Sequence, residues 1–294
     1  MPDEEGVGLL GLDDSRAARQ HHFQLYSSEF VPHELRRPWI TGSYRASPLQ
    51  LRACLYSVLR PTNETLNVWS HLVALAVFAL RSLDGRGFAG SRADRQLEVL
   101  LLGAAQACFA MSAAFHLLNT VSLRAYRILH KCDIAGILVL VLACYLAGLQ
   151  LGFGCAPHWA WRYQAAIVCS SAALAWCLVR GERVPRAAAL GMTLLVVAAI
   201  WPIAHWASLM ASNEELAMFG PRLGRFFALL AVGLGFFATG LPERCAPGRF
   251  DVWGHSHTWW HVFVMLAIAS FHTSLEEYSH WRHASLDLCI IRLP

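Results

Sequence analysis

Three histidines are the side chains best suited to chemistry in this chain. His257 and His261 lie four residues apart in the segment HTWWH, and His116 ends the segment SAAFH. A four-residue step on an α-helix is about 40° of rotation and ~6 Å of rise, so His257 and His261 share one helix face. Three neutral imidazoles that leave a fourth position for water form a typical catalytic zinc set. The pattern therefore predicts a zinc ion held by His116, His257 and His261.

Two other polar side chains belong to the predicted site. Ser112 lies four residues before His116, on the same helix face, and Asp133 opens the segment DIAGI. A carboxylate beside the fourth zinc position can orient the water there or accept its proton. We therefore predict catalytic roles for Asp133, which would contact zinc through water, and for Ser112.

The elements that must position these residues are membrane helices. Of the 294 residues, 56% are hydrophobic and 15% are charged, which is too apolar for an ordinary soluble domain. Runs of roughly 17 to 25 apolar residues can cross the ~30 Å hydrocarbon core of a bilayer. Seven such runs lie near residues 65–83, 97–118, 133–153, 160–179, 187–207, 224–241 and 255–275. The sequence thus predicts an all-α membrane protein with a tail at 1–60, a seven-helix transmembrane domain at 61–276 and a short C-terminal tail at 277–294.

The polar residues of these helices are predicted to lie at the same depth in the membrane, and so to form one site. An ionisable side chain inside a transmembrane helix costs about 2.5 to 3.5 kcal/mol on insertion scales, so each one needs a function or a partner. Consecutive helices alternate direction, so the end of the second helix and the starts of the third and seventh share a leaflet. The second helix ends near His116, the third begins with Asp133, and the seventh begins near His257 and His261. We therefore place the zinc site between helices 2, 3 and 7.

The distribution of basic residues orients the bundle. Lys and Arg number 15 on the side of the N-terminal tail and 9 on the other side. Cytoplasmic segments carry the excess of Lys and Arg, so we expect the N-terminus in the cytosol. Arg45, Arg52 and Arg60, just before the first helix, decide the count. The net charge of +4 is too small to indicate a nucleic-acid partner, and membrane lipid headgroups account for it.

Several other residues have simpler explanations. Asn63 and Glu64 precede the first helix, where a cap and an acidic side chain are favourable. His71 lies at a compatible depth and stays open as an extra ligand or a substrate contact, whereas His272 is too far along its helix to share the ion. Pro202 predicts a kink in the fifth helix. The nine scattered cysteines include no C-x-x-C pair and are expected to pack in the core without a disulfide framework.

Other functions fit the pattern less well. A histidine in a membrane helix is often only hydrogen-bonded and binds no metal. A haem site would need ligands that face each other across a porphyrin. A zincin protease would need a glutamate where Thr258 stands. A purely structural zinc clamp between helices 2 and 7 stays open. The chain lacks the D-R-Y and N-P-x-x-Y motifs of G-protein-coupled receptors. An ion channel would need polar groups along a continuous path, whereas these cluster at one depth.

The motifs resemble those of the progestin and adipoQ receptor family, in order and spacing, from about residue 38 to residue 274. They are ITGSYR, NETLNVWSH, SAAFH, DIAGI, PERCAPGRFD and SHTWWH. The resemblance implies seven helices, a cytosolic N-terminus and zinc near the cytoplasmic leaflet, bound by His116, His257 and His261. It also implies that Asp133 holds a zinc-bound water, with Ser112 nearby.

Within that family, the segments PWITGSYR, SVLRPTNETLNVWSHL and EYSHWRH look most like the Golgi-resident member that traps Raf kinase. This likeness implies a Golgi-membrane scaffold or regulator of Raf/MAP-kinase signalling whose residues 1–60 bind the kinase, with the plasma membrane as the alternative location. Other branches imply a zinc-dependent hydrolase of ceramide-like lipid amides, or a hormone receptor for an adipokine or a steroid. The expected partners are therefore membrane lipids, a cytosolic kinase and a lipid or steroid ligand.

Overall fold

The computed structural model describes residues 24–85, 87–181 and 186–285, most of them in long helices. Two short antiparallel strands, β1 (Leu25–Tyr26) and β2 (Tyr44–Arg45), and helix α1 (Leu51–Tyr56) precede the bundle. The helices that follow are α2 (Thr65–Leu83), α3 (Arg92–Leu118), α4 (Leu123–Gly152), α5 (Pro157–Arg180), α6 (Arg186–Ala198), α7 (Ile200–His205), α8 (Asn213–Thr239) and α9 (Ser256–Ala284). Short connections between the long helices make neighbouring helices antiparallel.

Six segments of the described chain are long and apolar enough to cross a membrane. They are α2, α3, α4, α5, the stretch Leu190–Met210 that contains α7, and α8. The prediction of a helical, multi-pass membrane protein is confirmed to this extent. Helix α9 has 29 residues but is not among the six. Its histidines, which include two of the predicted zinc ligands, lower its mean hydropathy.

The predicted apolar runs locate the helices but understate their lengths. The first run matches α2 at both ends, whereas α4 begins at Leu123 rather than near residue 133. The extra turns of α4 carry Arg124, Arg127 and Lys131. Hydropathy could not assign these charged turns to a membrane helix, although the backbone continues the same helix through them.

The fifth predicted helix is interrupted next to Pro202, as expected. Helix α6 ends at Ala198, α7 begins at Ile200, and a π-helical turn covers Trp206–Met210. Proline has no N–H, so Pro202 cannot donate to the carbonyl of Ala198 four residues earlier. The break in the helix therefore falls where this hydrogen bond is missing.

Four closely packed helices form the end of the bundle at which α3 ends and α9 begins. Helix α3 packs against α2 and α4, and α9 packs against α8, α2 and α4. Gly136 lets α4 approach α3, because a Cβ at this position would lie only 3.0 Å from Cα of Cys108. Helices α2, α3, α4 and α9 thus surround one region in which the end of α3 lies beside the start of α9.

Residues 24–60, called the N-terminal segment below, pack against that same end of the bundle. Asp251, in the connection before α9, accepts hydrogen bonds from the backbone N–H groups of Thr41 at 3.0 Å and Gly42 at 2.6 Å. The Thr41 hydroxyl donates to the same carboxylate at 3.1 Å. The N-terminal segment is therefore fastened to the connection that leads into α9.

The expectation that the cysteines pack in the core outside any disulfide framework was wrong at Cys155, which is disulfide-bonded in the connection between α4 and α5. The cysteines that are free in the described chain are Cys54, Cys108, Cys132, Cys144, Cys169, Cys177 and Cys245. A disulfide needs no fixed spacing between its cysteines, so the pattern of cysteines along the sequence could not reveal this one.

Candidate metal centre

Helices α3 and α9 bring the three predicted ligands together. His116 lies two residues before the end of α3, and His257 and His261 lie in the first two turns of α9. One ring nitrogen from each histidine lies within 4.8 Å of the others. His116 and His261 are buried, and His257 is half-buried. The histidines that the sequence analysis grouped therefore form one cluster, called the histidine cluster below.

The spacing of the rings suits a metal ion. The three ring centroids are 5.1, 4.8 and 4.6 Å apart. Nε2 of His257 lies 3.3 Å from Nε2 of His116. Two nitrogens bound to one tetrahedral zinc at roughly 2.0–2.1 Å would be about 3.3–3.4 Å apart. The donor set and its spacing therefore fit a divalent cation bound by three imidazoles.

Hydrogen bonds hold two of the rings with Nε2 free to bind a metal. Nδ1 of His116 lies 2.8 Å from Oε2 of Glu64, and an ionised carboxylate can only accept, so this nitrogen carries the proton. The Ser70 hydroxyl donates to the carbonyl of Asn67 at 3.0 Å, which leaves its oxygen to accept from Nδ1 of His261 at 3.2 Å. Partners of this kind fix the tautomer and the orientation of metal-binding imidazoles.

Glu64 is a member of the candidate site that the sequence did not reveal. We expected it only to favour the start of a helix, but its buried carboxylate reaches His116 on α3. It also accepts from Nδ2 of Asn67 at 2.6 Å and from Nε and Nη2 of Arg37, each at 3.3 Å. Burial raises the pKa of the Glu64 carboxyl, but Arg37 and His116 hold it well below its usual range. The one signal in the sequence was the density of polar residues at the start of a membrane helix.

Arg45 fixes the end of α3 next to the cluster. Its buried guanidinium donates to the carbonyls of His116 and Leu117, each at 2.6 Å, and to Oδ1 of Asn119 at 2.8 Å. The last carbonyls of a helix have no partner within the helix, so these bonds satisfy them and hold the turn that carries His116. The N-terminal segment therefore contacts the site twice, through Arg37 and through Arg45.

Ser112 and Asp133 lie about one helical turn deeper than the cluster. Ser112 is buried four residues before His116, which is ~6 Å along the axis of α3. Gly136 of α4 lies beside Cys108 of α3. Because α4 runs antiparallel to α3, Asp133, three residues before Gly136, lies at about the level of Ser112, four residues after Cys108. Among the described residues, Asp133 is not part of the group of direct donors within 4.8 Å.

Comparison with known proteins identifies the family. The profile described as haemolysin-III related matches residues 59–272, which is most of the chain. The chain belongs to this family. Similar proteins include progestin and adipoQ receptor family member 3 of Mus musculus, which is 27% identical over 275 residues, covering 89% of this chain and 88% of that protein. These findings confirm the resemblance to the progestin and adipoQ receptor family that the motifs indicated.

Relatives of this haemolysin-III-related chain also occur outside mammals. Heptahelical transmembrane protein 1 of Arabidopsis thaliana is 28% identical over 263 residues, with 83% of this chain and 77% of that protein covered. The adiponectin receptor protein of Drosophila melanogaster is 26% identical over 309 residues, with coverages of 94% and 68%. Family membership and the six apolar segments together show an integral, multi-pass membrane protein.

Other histidines of this family member lie outside the group of direct donors. Nε2 of His255 lies 3.0 Å from the carbonyl oxygen of Asn63, outside the histidine cluster. His272 pairs with Glu98, Nε2 to Oε1, at 3.0 Å, in the far half of the bundle. Both are accounted for by their own partners.

Proposed function

We propose that the chain is a signalling protein of the progestin and adipoQ receptor type, with seven transmembrane helices and a zinc ion between α3, α4 and α9. The observation that carries this proposal is the hydrogen-bonded path from Arg37 through Glu64 to His116. It joins the histidine cluster to the N-terminal segment at the surface. A change in the occupancy of the metal site can therefore alter a segment that a partner protein can reach.

Helix α9 is the proposed seventh span. Its 29 residues exceed the ~20 that cross a bilayer, and it packs against three other helices of the bundle. The Arabidopsis thaliana relative is named heptahelical transmembrane protein 1, and seven helices in that protein support this number.

Cys155 supports a cytosolic position for the N-terminal segment. It lies just beyond the end of α4, and thus at the end of the bundle opposite to the histidine cluster. Disulfides persist in oxidising compartments such as the lumen of the secretory pathway. The cluster and the N-terminal segment then face the cytosol, in agreement with the excess of Arg and Lys. A protease added to sealed vesicles should cleave an N-terminal tag without detergent, and a protected tag would contradict this orientation.

His116, His257 and His261 are the proposed zinc ligands. When bound, zinc would supply a Lewis acid that polarises a carbonyl and lowers the pKa of water. Metal analysis of the purified chain should find one zinc per chain, and a variant with His257→Ala and His261→Ala should lose it. A Soret band in place of zinc would contradict the assignment.

The N-terminal segment is the proposed contact for a cytosolic kinase of the Raf type, at the Golgi membrane. Its Phe30 side chain is 72% exposed at the end of the bundle that we place in the cytosol. The tagged full-length protein should retain purified Raf kinase, and Phe30→Glu should weaken retention. Trp253→Glu is the control, because Trp253 is exposed at the same end but outside the segment. Absence of Raf on the wild-type protein would contradict the scaffold function.

A zinc-dependent hydrolase of ceramide-like lipid amides is the second candidate. Ser112 and Asp133 favour it, because both lie buried one turn from the cluster inside an apolar bundle. Asp133 would accept a proton from the attacking water, and Ser112 would hydrogen-bond the amide. Purified protein should release fatty acid from ceramide, and His261→Ala or Asp133→Asn should abolish the release. Unchanged turnover in both variants would exclude this function.

A further inference from the structure

A cleft of about 480 Å³ lies between α2 and α9, at the end of the bundle opposite to the histidine cluster. Val77, Leu80 and Leu83 line it from α2, and Ala269 lines it from α9. Leu80 and Leu83 are 68% and 80% exposed, so the cleft opens on the outer surface of a membrane-spanning helix. A hydrocarbon chain can therefore enter this space, called the α2–α9 cleft below, from the bilayer.

Contacts between α2 and α9 bound the cleft along the two helix axes. Toward the histidine cluster, the ring of His71 stacks on that of His261, with centroids 3.7 Å apart. At the far end, Arg81 of α2 forms an ion pair with Glu276 of α9. Between these contacts, the methyl group of Ala269 is too small to fill the space. The cleft is thus a gap between two fixed points of contact.

His272 gives the cleft a polar atom within its apolar walls. The side chain is 2% exposed and lines the cleft. Its Nε2 lies 3.0 Å from Oε1 of Glu98, whose Oε2 accepts from the N–H of Phe88 at 2.8 Å. An ionised carboxylate can only accept, so Nε2 of the neutral imidazole carries the proton and Nδ1 has a lone pair. Glu98 accounts for Nε2, but Nδ1 has no hydrogen-bond partner among the described residues. A hydroxyl of a ligand would satisfy it.

Arg81 and Thr273 give the cleft hydrogen-bond donors. A guanidinium has five N–H groups, and the bonds from Nη1 to Asp84 and from Nη2 to Glu276 use two of them. Thr273 lines the cleft at an exposed position and has a hydroxyl. Since two carboxylates already balance the charge of Arg81, these donors favour an uncharged acceptor such as a carbonyl oxygen over an anion.

We propose that the α2–α9 cleft binds an acylglycerol, a neutral lipid with a free glycerol hydroxyl and an ester carbonyl. The hydroxyl donates to Nδ1 of His272, the carbonyl accepts from Arg81 or Thr273, and the acyl chain lies along Val77 and Leu80. A fatty acid would place a third carboxylate beside two others, and a sterol has a hydroxyl but no carbonyl. The proposal does not depend on the metal site.

Native mass spectrometry of the full-length protein in detergent tests the choice of lipid. The protein would be titrated separately with monoolein, oleic acid and cholesterol. Monoolein should bind about tenfold more tightly than either of the others, because only its head group satisfies both Nδ1 of His272 and the donors. Oleic acid has the same acyl chain, so it isolates the contribution of the head group. Oleic acid or cholesterol that binds as tightly as monoolein would overturn the proposal.

Two variants test the location of the lipid. Ala269→Phe fills the cleft and should weaken monoolein binding by about tenfold or more. Thr273→Val removes one hydroxyl at an exposed position and should weaken it by about fivefold, the effect of one hydrogen bond. Ala238→Phe is the matched control, because Ala238 is exposed on α8 and does not line the cleft, and it should bind monoolein like the wild type.

The variant with His257→Ala and His261→Ala distinguishes the cleft from the histidine cluster. It should bind monoolein with wild-type affinity, because the cleft lies at the other end of α9. A loss of affinity in this variant, with none in Ala269→Phe, would place the lipid at the cluster and overturn the proposal. If Ala269→Phe does not fold, Thr273→Val decides, and wild-type affinity in Thr273→Val would then contradict the site.

Discussion

Glu64 and His116 meet across 52 positions of the sequence, with Oε2 of Glu64 2.8 Å from Nδ1 of His116. The carboxylate fixes the tautomer that presents Nε2 of His116 to the cluster, and Arg37 keeps the carboxylate ionised. Metal affinity should therefore depend on a residue that is not itself a ligand.

Glu64→Gln tests this dependence. Glutamine keeps the shape of the side chain but removes the charge, so the affinity for zinc should fall by about 10-fold to 100-fold. Competition with a chromophoric chelator measures the change. Glu277→Gln is the control, because Glu277 pairs with Arg222 on the exposed surface, and it should bind zinc like the wild type. Equal affinities in both variants would show that the carboxylate does not support the metal site.

Removal of the metal should destabilise the protein. A ligand that binds only the folded state stabilises it by about 4 kcal/mol when its concentration is ~1,000 times the Kd. Treatment with a chelator should therefore lower the Tm of the wild type in a thermal unfolding assay. The variant with His257→Ala and His261→Ala should show no further decrease, and a decrease of wild-type size would place the metal elsewhere. If chelation lowers the Tm while lipid turnover is absent, zinc acts only as a structural clamp.

Arg45→Met should destabilise the fold. The buried guanidinium satisfies the carbonyls of His116 and Leu117, and methionine leaves both without a donor. A loss of about 2–4 kcal/mol in the free energy of unfolding is expected, because each unsatisfied buried group costs ~1–3 kcal/mol. Chemical denaturation in mild detergent measures it. Arg52→Met, at an exposed position of α1, should change stability by less than about 0.5 kcal/mol.

Two glycine substitutions should have opposite effects. Gly136→Ala places a methyl group 3.0 Å from Cα of Cys108, so α3 and α4 must separate, at a cost of about 1–3 kcal/mol. Gly103→Ala in α3 meets no atom within 4 Å and should stabilise the helix by up to ~1 kcal/mol. Thermal unfolding of both variants tests this contrast. Equal decreases in Tm would mean that the contact at Gly136 does not set the helix spacing.

Much of the site followed from residue type and helix geometry. An i,i+4 pair must share one face of a helix, so His257 and His261 could be grouped without a structure. Alternating helix direction then predicted that His116 would join them, and it does. The apolar runs located the helices for the same reason, since hydrocarbon thickness dictates their length. Helix ends were less predictable, because charged turns such as the start of α4 continue a helix without any hydropathy signal.

Tertiary structure alone decided what surrounds the histidines. The contacts of Glu64, Ser70 and Arg45 with the ligands join segments far apart in the chain, and such side-chain contacts leave no periodic pattern in the sequence. The depth of Asp133 is a second example. The sequence placed it at the start of a helix, but the register of α4 against α3, set where Gly136 meets Cys108, brings it level with Ser112. Local geometry therefore determined which side chains could bind a metal, whereas packing between helices determined which groups orient them.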